Sequence, residues 1–280
     1  MKSLRLALLM LMLAFWSVPG SAMAEDYATR VLRATCKIIH KDSTATCFLV
    51  QRTMKDSDNR VAVLVTANHV LSQMRSETAV LALRKRREDG GYTRHEVTIP
   101  VRAGDKPLWI KHPTHDVAVL KVTLPTDVST RPLPIACLAS EEAVRGARIH
   151  IAQSLSAFSY PVRFEANGSG FPIARQSVLA SYPLIPVATH PIFLADMHTF
   201  PGDSGGPMFL SDPRIERNPK NEMPLVLGLV VGMVRHDEHT KQMFEERTEH
   251  HPLNLATVLQ AQFVIDTIGI LNRSASRTAP

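Results

Sequence analysis

The sequence predicts an all-β chain: two six-stranded antiparallel β-barrels followed by a C-terminal α-helix. Three observations predict it. Short apolar, β-branched runs alternate with turn-forming residues through most of the 280 residues. These runs fall into two groups of about six, separated by the Pro-rich segment Pro125–Pro134. Near-helical spacing of apolar residues is confined to the end, where Leu255, Val258, Leu259, Phe263, Ile265 and Ile268 recur.

Taken in order, residues 1–24 read as a signal peptide. Lys2 and Arg5 form a positive start, Leu6 to Val18 is uncharged and apolar, and Ala22-Met23-Ala24 is a small-x-small cleavage site. The apolar core of about 13 residues is short of the roughly 20 that span a bilayer. A secreted or periplasmic location is therefore expected, with no membrane association after cleavage. Residues 25–280 then form one unit, with an N-terminal barrel over about 30–124, a C-terminal barrel over about 135–252 and a helix over about 254–271. Strands of the first barrel are expected at 33–40, 46–51, 61–66, 79–83, 97–101 and 117–122. Those of the second are expected at 148–153, 162–165, 177–184, 192–194, 207–210 and 225–234. The charged stretches 84–95, 211–223 and 235–251 read as surface loops.

Charge and composition exclude several classes. The formal charge of +6 includes Lys2 and Arg5, and the remaining basic residues are interspersed with acidic ones. With aromatics at 6%, no stacking platform for nucleic acid is expected. His236, His239, His250 and His251 lie close together, but without metal-ligand spacing they read as a solvated loop, so neither a metal nor a cofactor is expected. Three cysteines are present. Cys36 and Cys47 flank a turn near Lys41-Asp42, and their separation of 11 residues suits a cross-strand disulfide, leaving Cys137 as a buried thiol. A monomer is expected.

Three segments carry the chemistry. Val63-Leu-Val-Thr-Ala-Asn-His69 is a strand ending in histidine. Asp116 opens the apolar run Val117–Val122. Gly202-Asp203-Ser204-Gly205-Gly206-Pro207 sets a serine in a glycine-rich turn. Acyl transfer needs a base for the serine proton, a carboxylate to orient that base, and backbone donors for an oxyanion. Ser204, His69 and Asp116 fit those roles. The Gly202-x-Ser204-x-Gly206 pattern also occurs in nucleophile elbows of α/β-hydrolases, with Asp237 and His250 or His251 downstream. Such an elbow must run directly into a helix, whereas Gly205-Gly206-Pro207-Met-Phe-Leu reads as a turn and a strand.

In this order and spacing the sequence resembles the trypsin/chymotrypsin-like serine proteases over about Cys36 to Ile268. Thr66-Ala67-Asn68-His69 and Gly202–Pro207 are similar to the family's histidine and serine boxes. Asn68-His69-Val70 looks closer to HtrA-type and other bacterial secreted members than to digestive ones, and no room is expected after the last barrel for a PDZ module. The resemblance implies a chymotrypsin-like fold and serine endopeptidase activity on polypeptides. It also implies an oxyanion hole from the N–H groups of Gly202 and Ser204, and a substrate pocket formed by His198, Thr199, Gly232 and Met233. His198 fits either recognition of an acidic side chain or a solvent-facing pocket wall. The chain departs from digestive members by lacking an Ile-Val-Gly-Gly start, so Asp203 needs a partner other than a new N-terminal amine. The alternative class is a non-catalytic, protease-like binding module. Esterase chemistry by the same residues is a third reading.

Overall fold

The structure, a computed structural model, describes residues 26–41, 43–51, 61–147, 149–211, 225–242 and 245–277. The expected signal peptide and, beyond Ser211, the charged stretch expected over 211–223 lie outside the described residues.

Helix α1 (Tyr27–Ala34) opens the described chain, capped by Asp26, whose carboxylate accepts the Thr29 amide at 2.9 Å. The first sheet contains β1 (Thr35–His40), β2 (Ser43–Gln51) and β3 (Val61–Thr66). The five-residue helix α2 (Asn68–Ser72) follows, then β4 (Thr78–Arg86) and β5 (Tyr92–Pro100). The two-residue strands β6 (Arg102–Ala103) and β7 (Lys106–Pro107) pair apart from it, before β8 (Ile110–Lys111) and β9 (Ala118–Thr123) rejoin it. Helix α3 (Glu141–Gly146) bridges to the second sheet, which holds β10 (Ser154–Ser159), β11 (Ile173–Val178), β12 (Ile192–Asp196), β13 (Pro207–Leu210), β14 (Val226–Gln242) and β15 (Glu245–Gln260). Helix α4 (Ala261–Arg277) ends the described chain.

All named strand pairs are antiparallel, with orders β5-β4-β1-β2-β3-β9-β8 and β11-β10-β13-β14-β15-β12. An isolated bridge joins Leu179, just past β11, to Ala195 of β12. The all-β architecture and its C-terminal helix are those expected. The first sheet has seven strands rather than six because short β8 adds to β9 at its edge.

The continuous apolar runs of β2 and β3 follow from burial on both faces. Cys47 and Leu49 point into the first sheet's core with Ile38, Leu64, Leu81 and Leu120. Their neighbours Phe48 and Val50 point the other way, into a core shared with Phe158, Met208, Phe209 and Val258 of the second sheet. One layer therefore welds the two halves, and the chain segments that cross it carry the site.

Several boundaries differ from the expected ones. The strand expected over 148–153 lies at Ser154–Ser159, and 162–165 holds a 3-10 turn at Pro161–Arg163 instead of a strand. The C-terminal helix starts at Ala261 rather than near 254, because Leu255, Val258 and Leu259 are committed to pairing with β12. Residues 235–242 and 245–251 are not a loop but the outer part of a β14–β15 ribbon. Residues 84–95 likewise belong to the β4–β5 hairpin. Within it Arg84 is 1% exposed, with its guanidinium donating to the carbonyls of Arg33, Thr35 and Gly170. It thereby ties α1 to both halves.

The expected disulfide is absent, although Cys36 and Cys47 do face each other across β1 and β2. Thr46 sends its N–H to Ser204 O at 3.0 Å, away from β1. Cys36 and Cys47 are thus the adjacent, hydrogen-bonded kind of pair, whose Cα atoms stand about 5.5 Å apart and whose side chains are the more widely separated. A disulfide needs Cβ atoms about 3.8 Å apart. The Cys47 thiol instead donates to the Cys36 carbonyl at 3.4 Å.

Candidate active site

His69 sits on α2, immediately after β3 leaves the shared layer. Asp116 lies two residues before β9, and Ser204 lies in the turn that enters β13. Because β3 and β9 are paired from Val61↔Thr123 to Thr66↔Ala118, the end of one and the start of the other stand side by side. That adjacency brings together residues 47 apart in sequence. Asp116 Oδ2 is 2.6 Å from His69 Nδ1, and its Oδ1 accepts the His69 backbone amide at 2.8 Å. His69 Nε2 is 3.0 Å from Ser204 Oγ. Burial pushes the Asp116 carboxyl up, but the hydrogen bonds from the His69 ring and amide outweigh it and hold the group below its ordinary value.

The serine turn is shaped by close backbone approach. Gly202 has φ +103°, and a Cβ there would stand 2.3 Å from Tyr160 O. Val162 donates its N–H to Pro201 O at 2.7 Å. Since the C=O and N–H of one peptide unit point opposite ways, this bond aims the Gly202 N–H away from Val162. Among the described residues neither the Gly202 nor the Ser204 N–H donates to a protein acceptor, which leaves both available to an oxyanion. To make its bond Val162 adopts φ +47°, unfavourable for a β-branched residue.

Residues outside the sequence motifs hold this turn. Thr46 on β2 is fully buried, donates its hydroxyl to Gly202 O at 2.7 Å and accepts the Tyr160 N–H at 3.1 Å. Asp203 is 1% exposed and accepts from the Arg175 guanidinium at 2.5 Å and the Phe200 N–H at 2.8 Å. Thr46 and Arg175 carried no local signal, because their partners are more than a hundred and nearly thirty residues away, respectively.

A cavity of about 290 Å³ opens beside Ser204 and His69. Its walls include His40, Thr44, Gln73 and Met74 of the first half, together with Gly202. The expected pocket residues are not among those lining this cavity. His198 is half-buried and bonded to the Asn254 side chain, while Thr199 is buried. Gly232 and Met233 lie on β14, with Met233 39% exposed.

Fold and site together define a protein of the trypsin/chymotrypsin-like serine protease class. The family model of the trypsin-like peptidase domain matches residues 45–215, more than half of the chain, and the chain belongs to that family. Among solved structures it is similar to the inactive form of Rv3671c from M. tuberculosis H37Rv, a serine-to-alanine mutant. Identity is 17% and the TM-score 0.46, with 94% of this chain and 97% of that one covered. It is also similar to human heparin binding protein, at 14% identity and a TM-score of 0.49, with coverage of 87% and 93%. No curated protein matches the chain.

Proposed function

We propose that the chain is a secreted serine endopeptidase that hydrolyses polypeptides through an acyl-enzyme on Ser204. The observation that carries this reading is the continuous line from Asp116 through His69 to Ser204 Oγ, with contacts of 2.6 and 3.0 Å. His69 Nε2 takes the Ser204 proton as Oγ attacks the scissile carbonyl. The N–H groups of Gly202 and Ser204 stabilise the resulting oxyanion. His69 then passes the proton to the leaving amine as the C–N bond breaks. Asp116 holds the imidazole tautomer and stabilises its charge throughout. Water, deprotonated by His69, hydrolyses the ester and restores Ser204. Secretion rests on the layout of residues 1–24. No helix among the described residues is long and apolar enough to cross a membrane.

The test is fluorophosphonate labelling of protein beginning at Glu25, alongside Ser204→Ala, with cleavage of a peptide library in parallel. Labelling confined to the unsubstituted protein, together with peptide cleavage, supports the proposal. A folded protein that neither labels nor cleaves would fit a binding module instead.

A further inference from the structure

The outer part of the β14–β15 ribbon has two chemically different faces. Cross-strand partners share a face, so His236, Glu238, Glu249 and His251 line one side through the pairs His236↔His251 and Glu238↔Glu249. Asp237, His239, Thr248 and His250 line the other. On that second face every polar contact has ordinary hydrogen-bond length: Asp237 meets His250 at 2.7 Å and Arg235 at 3.1 Å, and His239 meets Thr248 at 3.1 Å.

The first face is built differently. Two glutamates stand directly opposite each other, an arrangement that repels on a bare ribbon. His251 Nε2 faces both, 3.3 Å from Glu238 Oε2 and 3.7 Å from Glu249 Oε2. Both separations exceed the roughly 2.7–2.9 Å of a charge-assisted hydrogen bond. They bracket the donor–donor edge of about 3.3–3.4 Å in a tetrahedron with bonds of about 2.0–2.1 Å, the Zn²⁺ distance to imidazole and carboxylate. One donor atom from each of Glu238, Glu249 and His251 lies within 4.8 Å of the other two. Arg247 engages Glu249 Oε1 at 2.7 Å, leaving Oε2 turned toward His251.

We propose that this face is a binding site for a first-row divalent transition ion, Zn²⁺ above all, held by Glu238, Glu249 and His251. An imidazole between two carboxylates selects such an ion over Mg²⁺ or Ca²⁺, which require nearly all-oxygen shells of higher coordination number. The ion neutralises the opposed glutamates and ties the two strands of the ribbon together. The sequence hid the site because its ligands are spaced i, i+2 on each of two strands, as His236-x-Glu238 and Glu249-x-His251. That pattern has meaning only once the strands are paired.

The experiment is calorimetric titration of ZnCl₂, and separately MgCl₂, into the purified chain from Glu25, into Glu238→Gln, His251→Ala and the opposite-face variant His250→Ala. All three substitutions lie on an exposed ribbon, and circular dichroism checks their folding. One equivalent of Zn²⁺ should bind with a Kd on the order of 1 µM. Glu238→Gln and His251→Ala should each weaken binding at least about tenfold. His250→Ala should leave it unchanged, and Mg²⁺ should not bind in this range. Absence of Zn²⁺ binding to the folded wild type overturns the proposal. So does binding that survives both first-face variants, as it would if His69 and Asp116 held the ion, or binding lost in His250→Ala alone.

Discussion

Arg175, on β11, places a guanidinium nitrogen 2.5 Å from Oδ2 of Asp203, the residue that precedes the serine. The aspartate is 1% exposed, so this is a buried charge with an internal counter-ion. Removing one partner of such a pair costs about 3–5 kcal/mol, because the other is left uncompensated. Arg175→Met should lower the urea midpoint correspondingly and reduce the rate of fluorophosphonate labelling. The internal partner has a second consequence. Extra residues placed before Glu25 should leave labelling unaffected, whereas an enzyme that needed a new N-terminal amine for Asp203 would be silenced by them.

Thr46 bonds to both sides of the serine turn, donating to Gly202 O and accepting from Tyr160 N–H. Thr46→Val keeps the shape of the side chain and leaves those two backbone groups unpaired in a buried site. A loss of about 2–4 kcal/mol in unfolding free energy is expected. If the turn's donors act mainly on the transition state, kcat should fall while KM changes little. A change in KM alone would show that Thr46 serves binding instead.

The three motif segments were legible because each is local: a strand end, a strand start and a glycine turn. Pro207–Leu210 was read at its observed bounds for the same reason, an apolar run stopped cleanly at both ends. What stayed hidden depends on pairing across distance. Arg84 looked like surface charge until α1 and Gly170 supplied carbonyls around it. The β14–β15 ribbon looked like a loop because its outer half has no apolar alternation and is held by cross-strand polar pairs. Helix α1 did leave a local sign, Asp26 capping the first turn, but its last residues, Arg33 and Ala34, were read as the start of the strand that begins at Thr35.

Glu165 joins the two halves electrostatically, accepting from Lys37 of β1 at 2.9 Å and from Arg94 of β5. Burial raises its carboxyl, but the bonds from Arg94 and Lys37 prevail and the group is held below its ordinary value. A depressed carboxyl binds its proton more readily in the unfolded chain. Its stabilisation is therefore complete above the unfolded value of about 4.3 and is lost as pH falls through the folded value. Urea midpoints measured from pH 7 down to pH 3 should fall for the wild type. In Glu165→Gln they should start lower and decline less steeply.

The cysteines give a chemical check on the register of β1 and β2. Cys36 and Cys47 are fully buried, and burial raises both thiols; Cys137 is pushed up to about 12 by the same cause. Thiolate is the reactive form, so all three should be inert to a thiol reagent in the folded protein. In denaturant, three equivalents should react. Reaction of only one equivalent would indicate a Cys36–Cys47 bridge.

Gly202 offers the sharpest separation of turnover from binding. A Cβ at this position meets Tyr160 O at 2.3 Å and must also adopt φ +103°, so Gly202→Ala cannot keep the backbone where it is. The least costly adjustment is rotation of the Pro201–Gly202 peptide. That breaks the Val162 N–H bond to Pro201 O and turns the Gly202 N–H away from the proposed oxyanion position. Loss of one such donor costs about 10²–10³ in kcat. His69 and Ser204 keep their contact, so KM should move far less than kcat. Equal loss in both would mean that the whole serine turn had collapsed, and the thermal midpoint would then fall with it.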